Sequence, residues 1–236
     1  MWPFTKRRTL NDIRFFENFT EVHCHLLPGV DDGIKKFEDT MKALALYEQA
    51  GVSEIWFTPH IMEDVPNHPD NLHKRFDEVC EAYQGNIKLH LAAENMLDAL
   101  FEERLENKIL LPLGDDENRL LVETSYFNPP YDFDLLIQRV QSAGFYPVLA
   151  HPERYMYMNE DDYKRLKDKQ VLFQLNIPSL IGMYGETAEK KSRAMLKKGW
   201  YDICGTDTHR VKQFDFLANE AKFDTKILKL LEKTFK

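Results

Sequence analysis

Past residue 20 the chain alternates short apolar runs with amphipathic stretches. Runs at 20–27, 53–60, 88–96, 119–126, 146–151, 171–177 and 201–207 have the length and the β-branched or aromatic content of strands. Between the first two, Phe37, Met41, Leu44 and Ala45 recur at helical spacing and place a helix over 37–50, stopped by Gly51. The same reasoning predicts helices over 71–83, 133–143 (stopped by Gly144), 161–169 and 187–198, the last ending at Gly199. Residues 98–118 read as a short helix followed by a turn around Pro112-Leu113-Gly114, and 214–236 as a covering helical segment. Repeated β-α alternation puts parallel strands at the centre and helices outside them. Seven strand candidates in 236 residues favour a closed or nearly closed α/β barrel over an open sheet. No repeat, low-complexity tract or linker divides the chain. It is read as one domain over 1–236: a tail at 1–19, the core at 20–210 and a covering segment at 211–236.

Composition narrows the class without changing the architecture. A hydrophobic content of 43% with 30% charged residues fits a soluble globular protein. The net charge of −8 argues against general nucleic-acid binding, although bound cations can reverse the local field towards an anionic substrate. Cys24, Cys80 and Cys204 are too few and too scattered for a disulfide framework, which points to a reducing compartment. No run is long enough for a membrane span, and the opening Met1–Arg8 lacks the apolar segment of a secretory signal. The expected location is cytoplasmic. The first eight residues are read as a frayed tail, with contact to a membrane surface or partner as the alternative.

The candidate chemistry gathers where strands end. His23 and His25 sit two apart on the first strand and share a face, a poor choice for a core and a good one for a metal. Behind them the chain turns at Pro28-Gly29 into Asp31 and Asp32. His60, Glu94, Glu123, His151, Asp207 and His209 each fall at or just past the carboxyl end of a later strand. In a parallel barrel those ends meet on one rim. One catalytic metal takes about three protein ligands. The donors His23, His25, Asp32, His60, Glu94, Glu123, His151, Asp207 and His209 therefore suit two or three divalent ions, the equipment for activating a water against phosphorus. Arg154 lies on the same rim, as a phosphate ligand or as an ion-pair partner of Glu153 or Glu160. Asp31 is read as a turn or supporting residue, His68 and His73 as solvated, and His90 as deep or outward-facing.

At these residues the chain resembles the PHP (polymerase and histidinol phosphatase) superfamily. Within it the resemblance is to the manganese-dependent protein-tyrosine phosphatases of bacterial capsule and exopolysaccharide loci. It is carried by His23-Cys24-His25-Leu26-Leu27-Pro28-Gly29-Val30-Asp31-Asp32-Gly33, Thr58-Pro59-His60, Ala150-His151-Pro152-Glu153-Arg154-Tyr155 and Asp207-Thr208-His209. The resemblance implies a distorted (β/α)7 barrel holding three divalent ions, manganese first, with iron or zinc as alternatives. It implies His23, His25, Glu94 and Asp207 on one ion, Glu123 and His151 joining a bridging Glu94 on a second, and Asp32, His60 and His209 on the third. Arg154 matches the phosphate-binding arginine. The further arginine usual beyond the last histidine has no clear counterpart, leaving Arg210 or Lys212 as substitutes. The implied reaction is attack of a metal-bridging hydroxide on a phosphotyrosine, with His60, His209 or a water as proton donor. The implied partner is a phosphotyrosyl protein, the tail of a membrane-bound tyrosine autokinase, met at the inner face of the cytoplasmic membrane.

Two other chemistries fit parts of the same sequence. Cys204 and Arg210 fit the C-x5-R spacing of a cysteine phosphatase, but Asp207 inside that loop would repel a phosphate. A small-molecule phosphomonoesterase, acting on histidinol phosphate or a sugar phosphate, would use the same metals behind a different pocket. Tyr126, Phe127, Tyr131 and Tyr155 are the aromatic candidates for gripping a phosphotyrosyl ring.

Overall fold

The computed structural model describes residues 7–236. In chain order its strands are β1 (Arg7–Arg8), β2 (Thr20–Cys24), β3 (Glu54–Phe57), β4 (His60–Ile61), β5 (Lys88–Leu91), β6 (Glu94–Met96), β7 (Arg119–Glu123), β8 (Tyr146–Ala150), β9 (Leu172–Asn176), β10 (Ile203–Gly205) and β11 (Phe223–Asp224). The helices are α1 (Phe37–Ala50), α2 (Pro69–Ala82), α3 (Phe101–Glu106), α4 (Phe133–Ser142), α5 (Glu160–Asp168), α6 (Glu186–Lys198), α7 (Val211–Asp215) and α8 (Thr225–Phe235).

Parallel pairing runs β2-β3-β5 and β4-β6-β7-β8-β9-β10. The two groups are one curled sheet, interrupted where the apolar runs 53–60 and 88–96 each break in two. Register is the same on both sides of the break: Phe57 faces Leu91, and His60 faces Glu94. Pro59 cannot donate to a ladder, and the Thr58 amide turns instead to the Cys24 carbonyl at 2.9 Å. At the opposite edge the chain beyond β10 closes the ring onto β2. The Asp207 amide bonds the His23 carbonyl at 2.7 Å, and the His25 amide bonds the Thr208 carbonyl at 2.9 Å. That closure needs a glycine: a Cβ on Gly205 would lie 2.8 Å from the His23 Cβ.

Helices cover the sheet with the faces their sequences offer. α1 buries Thr40, Ala43, Leu44 and Tyr47. The predicted stripe was turned slightly away from this, since Ala45 is exposed while Phe37 and Met41 are only half-buried. Gly51 ends the helix at φ 93°, as expected of a left-handed stop.

Residues 7–19 depart from the expected tail. β1 pairs antiparallel with β11, and Leu10, Phe15 and Phe16 are fully buried. Phe16 packs against Phe214 with ring centroids 5.1 Å apart. The covering segment 211–236 is thus clamped by the chain start, through aromatic burial that shows no helical or strand period. Residues 1–6, which held most of the frayed-tail expectation, lie outside the described residues.

Candidate metal centre

All nine predicted donors meet at the carboxyl end of the curled sheet, as the strand-end positions required. His23, His25 and Asp207 form one group with Glu94 beside them, each at most about 1% exposed. His23 Nε2 and His25 Nε2 are 3.3 Å apart. Glu94 Oε2 stands 3.2 and 3.4 Å from them, and Asp207 Oδ1 stands 3.5 and 3.3 Å. The two imidazole nitrogens and Asp207 Oδ1 form one compact triad suited to a divalent cation, and Glu94 Oε2 approaches the same two nitrogens.

The chain holds these atoms in place from behind. Gln174 Oε1 accepts from His23 Nδ1 at 2.9 Å and from the His151 amide at 3.2 Å. Asp31 Oδ2 takes His25 Nδ1 at 2.8 Å, and the Asp207 carbonyl takes His209 Nδ1 at 2.9 Å. An oxygen acceptor on Nδ1 keeps the proton there and leaves the Nε2 lone pair free for a metal. Asp207 divides its two oxygens. Oδ2 accepts from Arg154 Nη1 at 2.7 Å, Asn176 Nδ2 at 2.9 Å and the Tyr184 hydroxyl at 3.4 Å, while Oδ1 faces the histidines. His151 and Asp207 adopt left-handed backbone, φ 34° and 51°, where the chain turns off its strand and throws the side chain back over the rim.

A second group centres on His60. Its Nδ1 is 3.2 Å from Glu94 Oε2 and 2.9 Å from Glu123 Oε1, and its Nε2 is 3.4 Å from Asp32 Oδ1. His209 Nε2 is 3.3 Å from the same Asp32 oxygen. Glu123 therefore lies nearer His60 than His151, from which it is 3.9 Å. His151 Nε2 instead reaches Glu94 Oε1 at 2.9 Å. This differs from the partition implied by the resemblance, which joined Glu123 with His151 and gave His60 wholly to Asp32 and His209.

The donor set fits divalent cations on two counts. His60 Nδ1, Glu94 Oε2 and Glu123 Oε1 are buried and lack a hydrogen bond despite their closeness, so their lone pairs converge on a shared space. Buried Glu94, Glu123 and Asp207 also carry more negative charge than Arg154 can balance. Protons answer part of that excess. Burial and the neighbouring His25 oppose a charge on His60, yet Asp32, Glu123 and Glu94 push its pKa up to about 10. Burial opposes a charge on His25 as well, and Asp31, Asp207 and Glu94 raise it well above the ordinary value. Divalent cations would answer the same excess. His151 goes the other way, lowered to about 4 by burial and by Arg154, and so offers a free lone pair at neutral pH.

Arg154 is not a surface ion-pair partner of Glu153 or Glu160. Its guanidinium lies between the Tyr126 and Tyr184 rings, 4.4 and 4.1 Å from their centroids. It faces a pocket of about 410 Å³ that also exposes Asp32, His60, His151 and His209. Of the aromatic candidates, Tyr126 lines this pocket and Tyr155 is core. Phe127 and Tyr131 are exposed elsewhere. His90 stacks on Trp56, and His68 caps α2. Cys204 is buried, and burial pushes its thiol well above the ordinary value, which removes the thiolate a cysteine phosphatase needs.

Sequence reading passes over Gln174, Asn176, Tyr184 and Gln213, the last accepting from the His209 amide at 3.0 Å and donating to the Asp207 carbonyl at 3.2 Å. Asn176 ends β9 as the other site residues end their strands, and Gln174 shares its face two residues earlier, so both carried a positional signal. Their amides are neutral, and a search for charged or imidazole donors does not register them. Tyr184 and Gln213 come from connections and had no such signal.

The family described as "Capsular polysaccharide synthesis, CpsB/CapC" matches residues 19–220. The chain belongs to the CpsB/CapC family. Among its relatives, tyrosine-protein phosphatase YwqE of Bacillus subtilis is 28% identical, over 91% of this chain and 84% of that one. Tyrosine-protein phosphatase CpsB of Streptococcus pneumoniae is 26% identical, over 81% and 83%. A crystal structure from the work on YwqE and CpsB, described there as unique metal-dependent tyrosine phosphatases, superposes with a TM-score of 0.79 at 26% identity. The match covers 92% of this chain and 87% of that one. The α/β architecture with its curled parallel sheet is that of this family. Among the described residues no helix is long and apolar enough to cross a membrane.

Proposed function

We propose that this chain is a metal-dependent protein-tyrosine phosphatase. The observation that carries the reading is a buried guanidinium, fixed between two tyrosine rings and bonded to Asp207, at the mouth of a converging set of nine metal-ligand side chains. Kinship to proteins named tyrosine-protein phosphatases supports the same conclusion. His23, His25 and Asp207 would hold one ion, His60, Glu94 and Glu123 a second, with His151 against Glu94, and Asp32 and His209 would reach a third from the other nitrogen of His60; manganese is the first choice. When bound, such ions supply an activated water and neutralise charge on the phosphoryl oxygens.

The chain's own residues do the rest. Arg154 points its free N–H groups at the phosphoryl oxygens and stabilises the charge that grows there. Tyr126 and Tyr184 keep that guanidinium desolvated and aimed. His60 and His209, at the outer edge and half-buried, line the path by which a water can bring a proton to the leaving phenolate. Arg210 lines the same pocket, is exposed and has no ion-pair partner among the described residues, so it takes the second basic contact. The substrate is the phosphorylated tail of a capsule-assembly tyrosine kinase, and the setting is the cytoplasmic face of the membrane.

The test is a phosphatase panel on purified protein of known metal content. Phosphotyrosyl peptides are expected to turn over well ahead of histidinol phosphate and sugar phosphates. EDTA should abolish the activity and manganese restore it. A preference for the small monoesters would favour the phosphomonoesterase alternative, and activity indifferent to chelation would end the metal mechanism.

A further inference from the structure

The catalytic pocket shares a wall with a second cavity, of about 520 Å³. Asp32, His209 and Arg210 line both. Away from that wall the lining is basic. Lys35 and Lys36 come from the turn before α1, Lys42 from its second turn, and Lys212 from α7. The carboxylate Asp39 pairs with Lys42 at 2.7 Å, and Asp32 is turned to His60 and His209. Lys35, Lys36, Arg210 and Lys212 are exposed and form no ion pair among the described residues; Lys36 acts on Asp39 only at longer range, and the Lys35 ammonium bonds the Asp31 carbonyl. In a chain of net charge −8, such a cluster beside the catalytic opening is a local reversal of the field.

We propose that this cavity holds the carboxylate side chains that flank the phosphotyrosine of the protein substrate, and so selects acidic sequence around the target. The proposal rests on the phosphatase reading and adds the substrate's flanking chemistry to it. Carboxylates fit better than a second phosphate. The cations stand apart on two elements around an open cavity, and Lys35, Lys36 and Lys212 are lysines, point charges suited to separate carboxylates. A bound phosphate monoester is gripped best by donors that converge on one centre, most often guanidinium forks. Arg210, on the shared wall, is left for the phosphoryl group itself.

The experiment measures fluorescence anisotropy of labelled peptides on the manganese-loaded protein. Each peptide carries a non-hydrolysable phosphonate in place of phosphotyrosine, flanked by glutamates, by glutamines or by a second phosphotyrosine. The glutamate peptide is expected to bind about ten-fold more tightly than the glutamine peptide at low salt, with the gap closing as salt rises. The double variant Lys36→Gln/Lys212→Gln should lose that preference while its melting temperature and its rate on p-nitrophenyl phosphate stay unchanged. Equal binding of the glutamate and glutamine peptides, or a preference that survives in the variant, overturns the proposal. Tightest binding of the doubly phosphorylated peptide overturns it in favour of a second phosphate. Sedimentation with phosphatidylglycerol vesicles that is lost in the variant overturns it in favour of a membrane surface. Failure of the wild-type protein to hydrolyse any aryl phosphate would reject the phosphatase reading separately, and the peptide comparison would still decide what the cations bind.

Discussion

Asp207 illustrates how one side chain joins two functions. One oxygen is tied to Arg154, Asn176 and Tyr184, and the other is presented to His23 and His25. On the proposed reading, phosphate binding and metal binding are mechanically linked through this carboxylate. Arg154→Ala removes a desolvated donor aimed at the phosphoryl group and should lower kcat/KM on a phosphotyrosyl peptide by about 10²–10³. Metal content, measured in parallel, should hold, because Asn176 and Tyr184 still orient the Asp207 carboxylate. A near wild-type rate would return Arg154 to a purely structural role. His23 and His25 were legible at this scale because two imidazoles on one strand face ask for a ligand. The Nδ1 acceptors Gln174 and Asp31 complete the argument, and only Asp31 stood close enough in sequence to be suspected of a supporting role.

The elements owe their ends to the site. β3 with β4, and β5 with β6, were each read as one strand, and each breaks just before a ligand, where the backbone leaves the ladder to aim His60 or Glu94. A strand pattern reports which residues alternate between faces. It does not report the few residues whose backbone bonds are redirected to a neighbouring loop. The chain start shows the opposite failure, since Leu10, Phe15 and Phe16 are core without any periodic signal. Phe16→Ala is expected to destabilise the protein by about 3–5 kcal/mol in urea unfolding, a loss no frayed tail could cause.

α8 offers a check on pH. Asp224 caps it by accepting from the Ile227 and Lys226 amides, at 3.0 and 3.1 Å, and pairs with Arg193 at 2.6 Å. Partial burial alone would raise its pKa, but Arg193 and the two amides outweigh that and hold the carboxyl below the usual range. The folded state then binds fewer protons than the unfolded one. Its contribution is present above the ordinary aspartate pKa of about 3.9 and is lost as pH falls through the folded value. Asp224→Ala should cost about 1 kcal/mol at pH 7 and progressively less below pH 4, read from urea midpoints at both pH values.

For the whole molecule, the ring of parallel strands brings three buried carboxylates, Glu94, Glu123 and Asp207, to one rim, with His23 within 3.5 Å of both Glu94 and Asp207. Such a cluster repels itself unless cations or protons sit in it. Manganese at about one hundred times its dissociation constant should then stabilise the folded state by roughly 2.7 kcal/mol and raise the melting temperature, with EDTA reversing the shift. A melting temperature unmoved by manganese would mean that the cluster is satisfied by protons alone.

The sequence by itself determined the alternation of strand and helix, hence a parallel sheet with its chemistry on one rim, because periodicity and strand-end position are local properties. It also placed nine candidate donors at those ends, since imidazoles and carboxylates there have few other uses. Tertiary structure alone decided which donors face which. His60 lies between two groups because β4 pairs with β6, and that register brings it beside Glu94 and within 2.9 Å of Glu123. It alone decided that Lys35 and Lys36 stand beside Arg210 and Lys212, more than 170 positions away along the chain. Contacts of that separation depend on how the ring closes, and the closure is written in backbone hydrogen bonds that every residue but proline can make.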